Sequence, residues 1–157
     1  MQLRPLAIAA AVLALAAPLS SCGFDYATER DYTPGSGANN REGVVDVLSA
    51  VVVSGAEGSG TFVASLSNND IEEEQTFTGL SASDGATVEA AEFEPVTIAP
   101  GGLVNLAEPP AEIVLTGEFG AGDVVPLAID FGSGERVMLN VPVVTDDSGY
   151  WEGLDAS

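Results

Sequence analysis

From residue 44 onwards, apolar and polar side chains alternate over short runs that are separated by Gly, Asn, Asp and Pro. A period of two matches the β-strand, in which successive side chains point to opposite faces, and almost nothing recurs at the helical period. The pattern is clearest in the last third of the chain, where two predicted strands are joined by a hairpin-like connection at residues 132–135. The side chains that share one face are Val125, Leu127, Ile129 and Phe131 in the first strand and Val137, Leu139, Val141 and Val143 in the second. Several short strands at this spacing predict an all-β fold, an antiparallel β-sandwich.

The remaining predicted strands are shorter and less regular. The sequence places them at residues 44–53, 61–68, 75–82, 86–94, 95–98, 103–106 and 112–116. A glycine-rich stretch at residues 55–60 has no following Lys and carries Glu57, which would repel phosphate. It is therefore interpreted as a hairpin loop and not as a phosphate-binding loop.

The first 21 residues have the layout of a secretory signal, with Arg4 in a short leading region, an apolar stretch, and then Pro18 and small residues. The apolar stretch is shorter than the roughly 20 residues that a transmembrane helix needs. We therefore expect residues 1–21 to be a cleavable signal peptide.

The signal ends at Leu19-Ser20-Ser21-Cys22, which resembles the bacterial lipobox. The resemblance implies cleavage before Cys22, a diacylglyceryl thioether on its thiol, and acylation of the new amino terminus. Two or three lipid chains suffice for stable anchoring, whereas one chain binds only marginally. We expect a protein anchored to the outer, extracytoplasmic face of a cell membrane through Cys22. The alternative is a plain secreted protein in which the lone Cys is incidental.

Four segments are predicted along the chain. After the signal come a lipidated amino terminus and flexible tether at residues 22–43, a β-sandwich domain at 44–145, and an acidic tail at 146–157. Since Cys22 is the single Cys, no disulfide within the chain is possible and the fold must rest on its apolar core.

The net charge of −20 excludes several kinds of partner. Nucleic acid and anionic lipid headgroups would both be repelled by such a surface. The surface is either a solubilising one or a docking face for a basic envelope protein or for hard cations.

Tyr150 and Trp151 stand in the acidic tail, and Trp151 is the single Trp of the chain. One interpretation has them folding back over a sheet edge or an end of the core. The other makes them a contact for a partner protein.

The order of strands and turns resembles the PCu(A)C copper-chaperone family, and especially exported actinobacterial lipoproteins related to it. The resemblance spans about residues 44–144 and rests on Ile98-Ala99-Pro100-Gly101-Gly102, Val104-Asn105-Leu106, a strand ending at Gly117, Gly122-Asp123-Val124-Val125-Pro126-Leu127, Phe131 and Val141-Pro142-Val143. It implies a cupredoxin-like, Ig-like sandwich that binds copper through His and Met side chains.

Transferred onto this chain, the family's two His positions fall on Ala91 and Glu112 and its two Met positions on Phe93 and Val114, none of which is a His or Met. The chain contains no His at all, and Met138 is the single Met left after the signal. Soft thioethers and imidazoles suit copper, and carboxylates suit hard ions. We predict no metal site and no cofactor, with Met138 filling an apolar or edge position.

Catalysis is also disfavoured by composition. Without His or Lys, the chain cannot build Ser-His, Cys-His or Ser-Lys chemistry, nor a zinc site of the usual kind. Carboxylates at 146–147 and 72–74 are left as candidates for glycosidase chemistry or weak calcium binding, but they lack the spacing that wraps a cation. The sequence favours a non-catalytic envelope interaction module that has lost its copper site. The alternative is a metal-handling protein that uses carboxylates or ligands supplied by a partner.

Overall fold

The computed structural model describes residues 37–157 except residue 148, and it does not describe the side chain of Tyr150. The predicted signal peptide, Cys22 with its lipobox, and most of the tether lie outside these residues. Ten strands are formed: β1 Ala38–Asn40, β2 Val45–Ala56, β3 Ser59–Asn68, β4 Gln75–Ala82, β5 Val88–Ala90, β6 Val96–Ile98, β7 Leu103–Asn105, β8 Ile113–Gly117, β9 Val124–Phe131 and β10 Arg136–Thr145. In the described part of the chain they are followed by a 3-10 turn, Gly149–Trp151.

The strands form two sheets joined through β10. The first has the order β5-β8-β3-β2, with β1 on β2 and β7 on β3, and the second has the order β10-β9-β4-β6. β10 pairs antiparallel with β9 from Arg136 to Pro142 and then parallel with β2 from Val143 to Thr145. Pro142 stands at this change of partner, where its missing N–H removes one ladder hydrogen bond. The predicted all-β sandwich is confirmed, with one parallel pairing added to the antiparallel pattern.

The core lies between the sheets, as the alternation predicts. Every inward residue of β9 is buried, namely Val125, Leu127, Ile129 and Phe131. Phe77 of β4 stands at the centre of the aromatic packing, with its ring centroid 6.4 Å from that of Phe62 and 6.1 Å from that of Phe131. Tilted aromatic pairs at such distances stabilise beyond the area they bury.

β2 changes which side chains face the core part-way along its length. Val45 and Val47, at odd positions, belong to the main core. Further along the strand the even positions Ala50 and Val52 belong to it instead. The change occurs at Ser49, whose φ is 52°, where the register with β3 shifts between Leu48 and Val51. A bulge that inserts one residue reverses the facing of everything beyond it.

A second apolar cluster covers the outer face of the first sheet. Val51, Val53 and Val63 are buried there, and Trp151 and Leu154 pack against them. The C-terminal segment is also held by polar contacts, since Asp155 Oδ2 accepts a hydrogen bond from Gly55 N at 2.7 Å and Oδ1 accepts one from Thr61 Oγ1 at 3.1 Å. Residues 151–157 are therefore docked on β2 and β3.

β1 corrects the predicted tether at its C-terminal end. Residues 38–40 pair with β2 and are part of the sheet. Their side chains are small or polar and show no apolar periodicity; the strand is held by backbone pairing and by Asn39 Oδ1, which accepts from Ser49 N at 3.0 Å. Gly37 has φ 112° and lies so close to Ser49 that a β-carbon would stand 2.6 Å from the Ser49 carbonyl carbon. Only glycine fits this approach.

Two further predictions differ from the structure in extent. The predicted strand at 86–94 is reduced to β5, Val88–Ala90, because the chain then leaves the first sheet to reach β6 in the second. The predicted hairpin loop at 55–60 is tighter, since Ala56 pairs with Ser59 and the turn is Glu57-Gly58. No helix of the described residues is long and apolar enough to cross a membrane.

We predict that Trp151→Ala lowers the free energy of unfolding by about 1–3 kcal/mol, because it uncovers apolar surface of Val51, Val53 and Val63. Urea unfolding followed by far-ultraviolet circular dichroism measures the change. Glu152→Ala, an exposed neighbour, is the matched control and should shift stability by less than about 0.5 kcal/mol. Equal midpoints for Trp151→Ala and wild type would show that the docked segment does not stabilise the sandwich.

Docking of the C-terminal segment should weaken at acid pH. Burial raises the pKa of Asp155, but hydrogen bonds from Ser157, Gly55 and Thr61 outweigh it and hold the pKa below its ordinary value of 3.8. Because the folded-state pKa is depressed, this stabilisation is complete above 3.8 and is lost as the pH falls through the lower folded-state value. Fluorescence of Trp151 should report that step, and Asp155→Asn should remove it. An identical acid transition in Asp155→Asn would contradict the assignment.

Candidate functional site

The family's ligand positions converge in part at the edge of the sandwich where the chain crosses between sheets. β5 and β8 pair with Ala90 opposite Leu115, and Ala91 N donates a hydrogen bond to Val114 O at 2.8 Å. Ala91 and Val114 are therefore neighbours across two strands. The structure brings these two positions together, although neither side chain offers a donor atom to a metal.

Phe93 lies in the crossing segment between β5 and β6. Its ring centroid is 4.9 Å from that of Phe77, the nearest of the aromatic pairs around that residue. Phe93 is partly buried and packs against the main core. An aromatic ring in apolar packing therefore occupies the position where the resemblance places a thioether.

Glu112 stands immediately before β8 with its backbone at φ 50°, a left-handed conformation that is uncommon for a residue other than Gly, Asn or Asp. Its side chain is exposed to solvent. It is the single carboxylate among the four positions. Within residues 37–157 as described, no group of three or more His, Cys, Asp or Glu side chains is arranged to hold a metal ion.

The residues present do not fit a copper site. Copper(I) is held by soft thioethers, thiolates and imidazoles, and this edge of the sandwich offers a methyl group, a benzyl ring, an isopropyl group and one hard carboxylate. Met138 is elsewhere, opposite Ala128 on the second sheet, with 51% of its surface exposed. It does not fill a core position, because its place in the alternation of β10 points it away from the buried Val137 and Val141.

The acidic candidates do not form a catalytic pair. Asp146 Oδ1 accepts hydrogen bonds from Leu154 N and Asp155 N at 3.1 and 3.4 Å, so it holds the C-terminal segment. Glu72, Glu73 and Glu74 are all exposed in the loop between β3 and β4. These two groups serve different parts of the fold and do not converge.

A cavity of about 810 Å³ lies between the β2–β3 hairpin and the loop from β8 to β9. Its walls carry Glu57, Glu118 and Asp123 beside Phe119 and several glycines. Glu118 Oε2 accepts from Thr87 Oγ1 at 3.2 Å, and Asp123 Oδ2 accepts from Gly120 N at 2.9 Å. Glu118 thus contacts the segment before β5, and Asp123 makes a contact within the β8–β9 loop.

Sequence reasoning missed the part played by Asn68, which is only 2% exposed. Its side-chain nitrogen donates to Glu73 O at 2.8 Å and Ala99 O at 3.2 Å, and its oxygen accepts from Asp70 N at 2.9 Å. The available signal was the Asn-Asn-Asp series at 68–70, which predicts a turn but not a buried amide that joins three segments.

The fold is similar to that of solved PCuAC domains. A copper-bound PCuAC domain from PmoF2 superposes with a TM-score of 0.54 at 14% identity, over 68% of this chain and 97% of that domain. The apo PmoF2 PCuAC domain superposes with a TM-score of 0.53 at 14% identity, over 71% of this chain and 97% of that domain. The apo PCuAC domain from PmoF1 superposes with a TM-score of 0.54 at 18% identity, over 68% of this chain and 98% of that domain. No protein-family profile and no curated protein matches the sequence. The PCu(A)C-like fold expected from the turn and strand order is therefore confirmed, while the actinobacterial lipoprotein branch stays a prediction.

Proposed function

We propose that this chain is a membrane-anchored lipoprotein of the cell envelope whose PCuAC-like sandwich is a non-catalytic interaction module without a copper site. The observation that carries the proposal is the edge formed by Ala91 and Val114. The fold keeps the two positions side by side, joined by a 2.8 Å backbone hydrogen bond, but neither side chain can bind a metal.

Packing at that edge supports the loss of copper binding. Phe93 contributes to the core through Phe77, so the former ligand position now stabilises the sandwich. Large apolar side chains in such packing stabilise a domain by excluding water. Under the proposal, this position has a structural role in place of a metal-binding one.

The titratable groups support a non-catalytic role. The chain has no imidazole and no lysine amine to act as a base near neutral pH. Hydrogen bonds from the backbone of Glu72 and Glu73 lower the pKa of Asp70, and the pKa of Asp155 is also lowered. A carboxylic acid that donates a proton in catalysis needs the opposite shift.

Anchoring through Cys22 completes the proposal. The sandwich begins at β1, and the sequence upstream of it carries the lipobox-like Leu19-Ser20-Ser21-Cys22. A lipid anchor concentrates an interaction module at one membrane surface, so that modest affinities for envelope partners suffice.

Copper titration tests the loss of the metal site. We expect the Cys22→Ala chain, which lacks the thiol that could itself hold Cu(I), to bind no stoichiometric Cu(I) in competition with a Cu(I) chelator. A variant with soft ligands at the four positions should gain measurable Cu(I) binding. It carries Ala91→His, Phe93→Met, Glu112→His and Val114→Met. A tight one-to-one Cu(I) complex of the chain with its natural residues at these four positions would refute the proposed loss of the copper site and would favour the alternative, a copper-handling protein.

Lipid labelling tests the anchor. In a bacterial host supplied with radiolabelled palmitate, the full-length chain should incorporate label and Cys22→Ala should lose it. Ser21→Ala is the matched control, because it keeps a small residue before the cleavage point and should retain labelling. Unchanged labelling of Cys22→Ala would rule out anchoring through that thiol.

A further inference from the structure

One end of the sandwich exposes three large apolar side chains. Ile71 is 81% exposed, Leu103 61% and Val44 42%. Backbone contacts place Val44 and Leu103 at the same end of the first sheet, since Asn69 N donates to Val44 O at 2.9 Å and Leu103 pairs with Ser67. Ile71 Cγ2 lies 3.7 Å from the position that a β-carbon on Gly101 would take. We call Val44, Ile71 and Leu103 the apolar end patch.

Within the loop that carries Ile71, the side chain of Asp70 binds the backbone of the residues that follow. One carboxylate oxygen of Asp70 accepts hydrogen bonds from Glu72 N at 2.8 Å and Glu73 N at 3.0 Å. These contacts lower the pKa of Asp70, so the carboxylate is ionised at neutral pH. The backbone on both sides of Ile71 is thereby constrained.

The same loop is bound to the end of β3 and to the turn at residues 99–102. The buried side-chain amide of Asn68 in β3 donates to Glu73 O in the loop and to Ala99 O in the turn. Gly101 N in the turn donates to Asp70 O in the loop at 2.7 Å. A flexible loop would let an isoleucine turn inwards, whereas this one keeps it in solvent. An anchor that is already ordered loses little conformational entropy on binding.

A shallow, open depression lies beside Ile71 in the apolar end patch. Its volume is about 470 Å³, and it is lined by Val44, Asn69, Asp70, Ile71 and Glu72. Interface energy concentrates where an apolar side chain enters such a recess and a polar rim excludes water around it. The recess has room for a side chain from a partner next to the exposed isoleucine.

The charge around the patch selects the partner. Asp70 and Glu72 line the recess, Glu73 and Glu74 continue the loop, and the whole chain carries a net charge of −20. A second copy of this chain would bring an equally acidic rim against this one, and anionic lipids would be repelled in the same way. A basic protein segment would be attracted to the rim and would associate faster for that reason.

We propose that the apolar end patch is a docking site for a basic protein segment that inserts an apolar side chain beside Ile71. This inference rests on the proposed function as an interaction module and names the surface and the class of partner. Ile71 supplies the apolar centre that loses its water when the partner binds. The carboxylates of Asp70 and Glu72 at the rim attract the basic segment.

The test uses the full-length chain in phosphatidylcholine nanodiscs and a fluorescent peptide of alternating Lys and Leu. Binding measured by fluorescence anisotropy should weaken at least about tenfold in Ile71→Ser, the loss expected when one anchor side chain is removed. Val124→Ser is the matched control, since Val124 is 58% exposed and belongs to β9, outside the patch, and it should bind as wild type does. A matched peptide of alternating Lys and Ser should bind weakly and equally to all three proteins.

Four outcomes would overturn the inference. Equal affinity of wild type and Ile71→Ser for the Lys–Leu peptide would mean that its binding is electrostatic or located elsewhere. Equal affinity of the wild type for the two peptides would remove the apolar contribution. Self-association that Ile71→Ser abolishes would assign the patch to a second copy, and broadening of Ile71 methyl signals by a paramagnetic lipid in the disc would assign it to the bilayer. None of these results alters the copper and labelling measurements, so the surface can fail while the proposed function stands.

Discussion

Burial of both faces of β2 is the constraint on which the rest of the sandwich depends. The strand directs Val45, Val47, Ala50 and Val52 into the main core, and its bulge at Ser49 turns Val51 and Val53 to the outer face. It pairs with β1, β3 and the end of β10, and so joins the two sheets. Because the chain can form no internal disulfide, this apolar burial must offset the conformational entropy lost on folding.

The same arrangement explains how metal ligands can be absent while the fold persists. The family's ligand positions lie at an edge, on the segment that leaves β5 for the second sheet and at the start of β8, whereas the central packing is made by β2, β3, β4 and β9. Edge substitutions alter few of the contacts that hold the sheets together. The aromatic group around Phe77 even gains a member at this edge, since Phe93 packs against it. Likeness of fold to a copper-bound domain is thus compatible with a different chemistry.

Surface features then distinguish the two ends of the molecule. Towards the β2–β3 hairpin, the C-terminal segment covers valines that would otherwise face water. At the opposite end, Val44 and Leu103 stay exposed, and so does Ile71, on a loop that Asn68 and Asp70 hold in place. Folded domains normally cover or disperse such side chains, and this is why we propose the rigid, exposed isoleucine within an acidic rim as a site for association.

The sequence by itself determined the fold class and most strand positions, because alternation and turn residues are local properties, and residue identity alone predicts the mismatch with copper. It also predicts the anchor at Cys22, in a part of the chain outside the described residues. Only the tertiary structure decided that β1 joins the sheet, that β10 changes partner at Pro142 and that Trp151 docks on the outer valines. It also decided which apolar residues stay exposed. Each of these depends on pairing between segments far apart in the chain, and an isolated stretch such as Val51-Val52-Val53 does not encode which face of a strand will be covered.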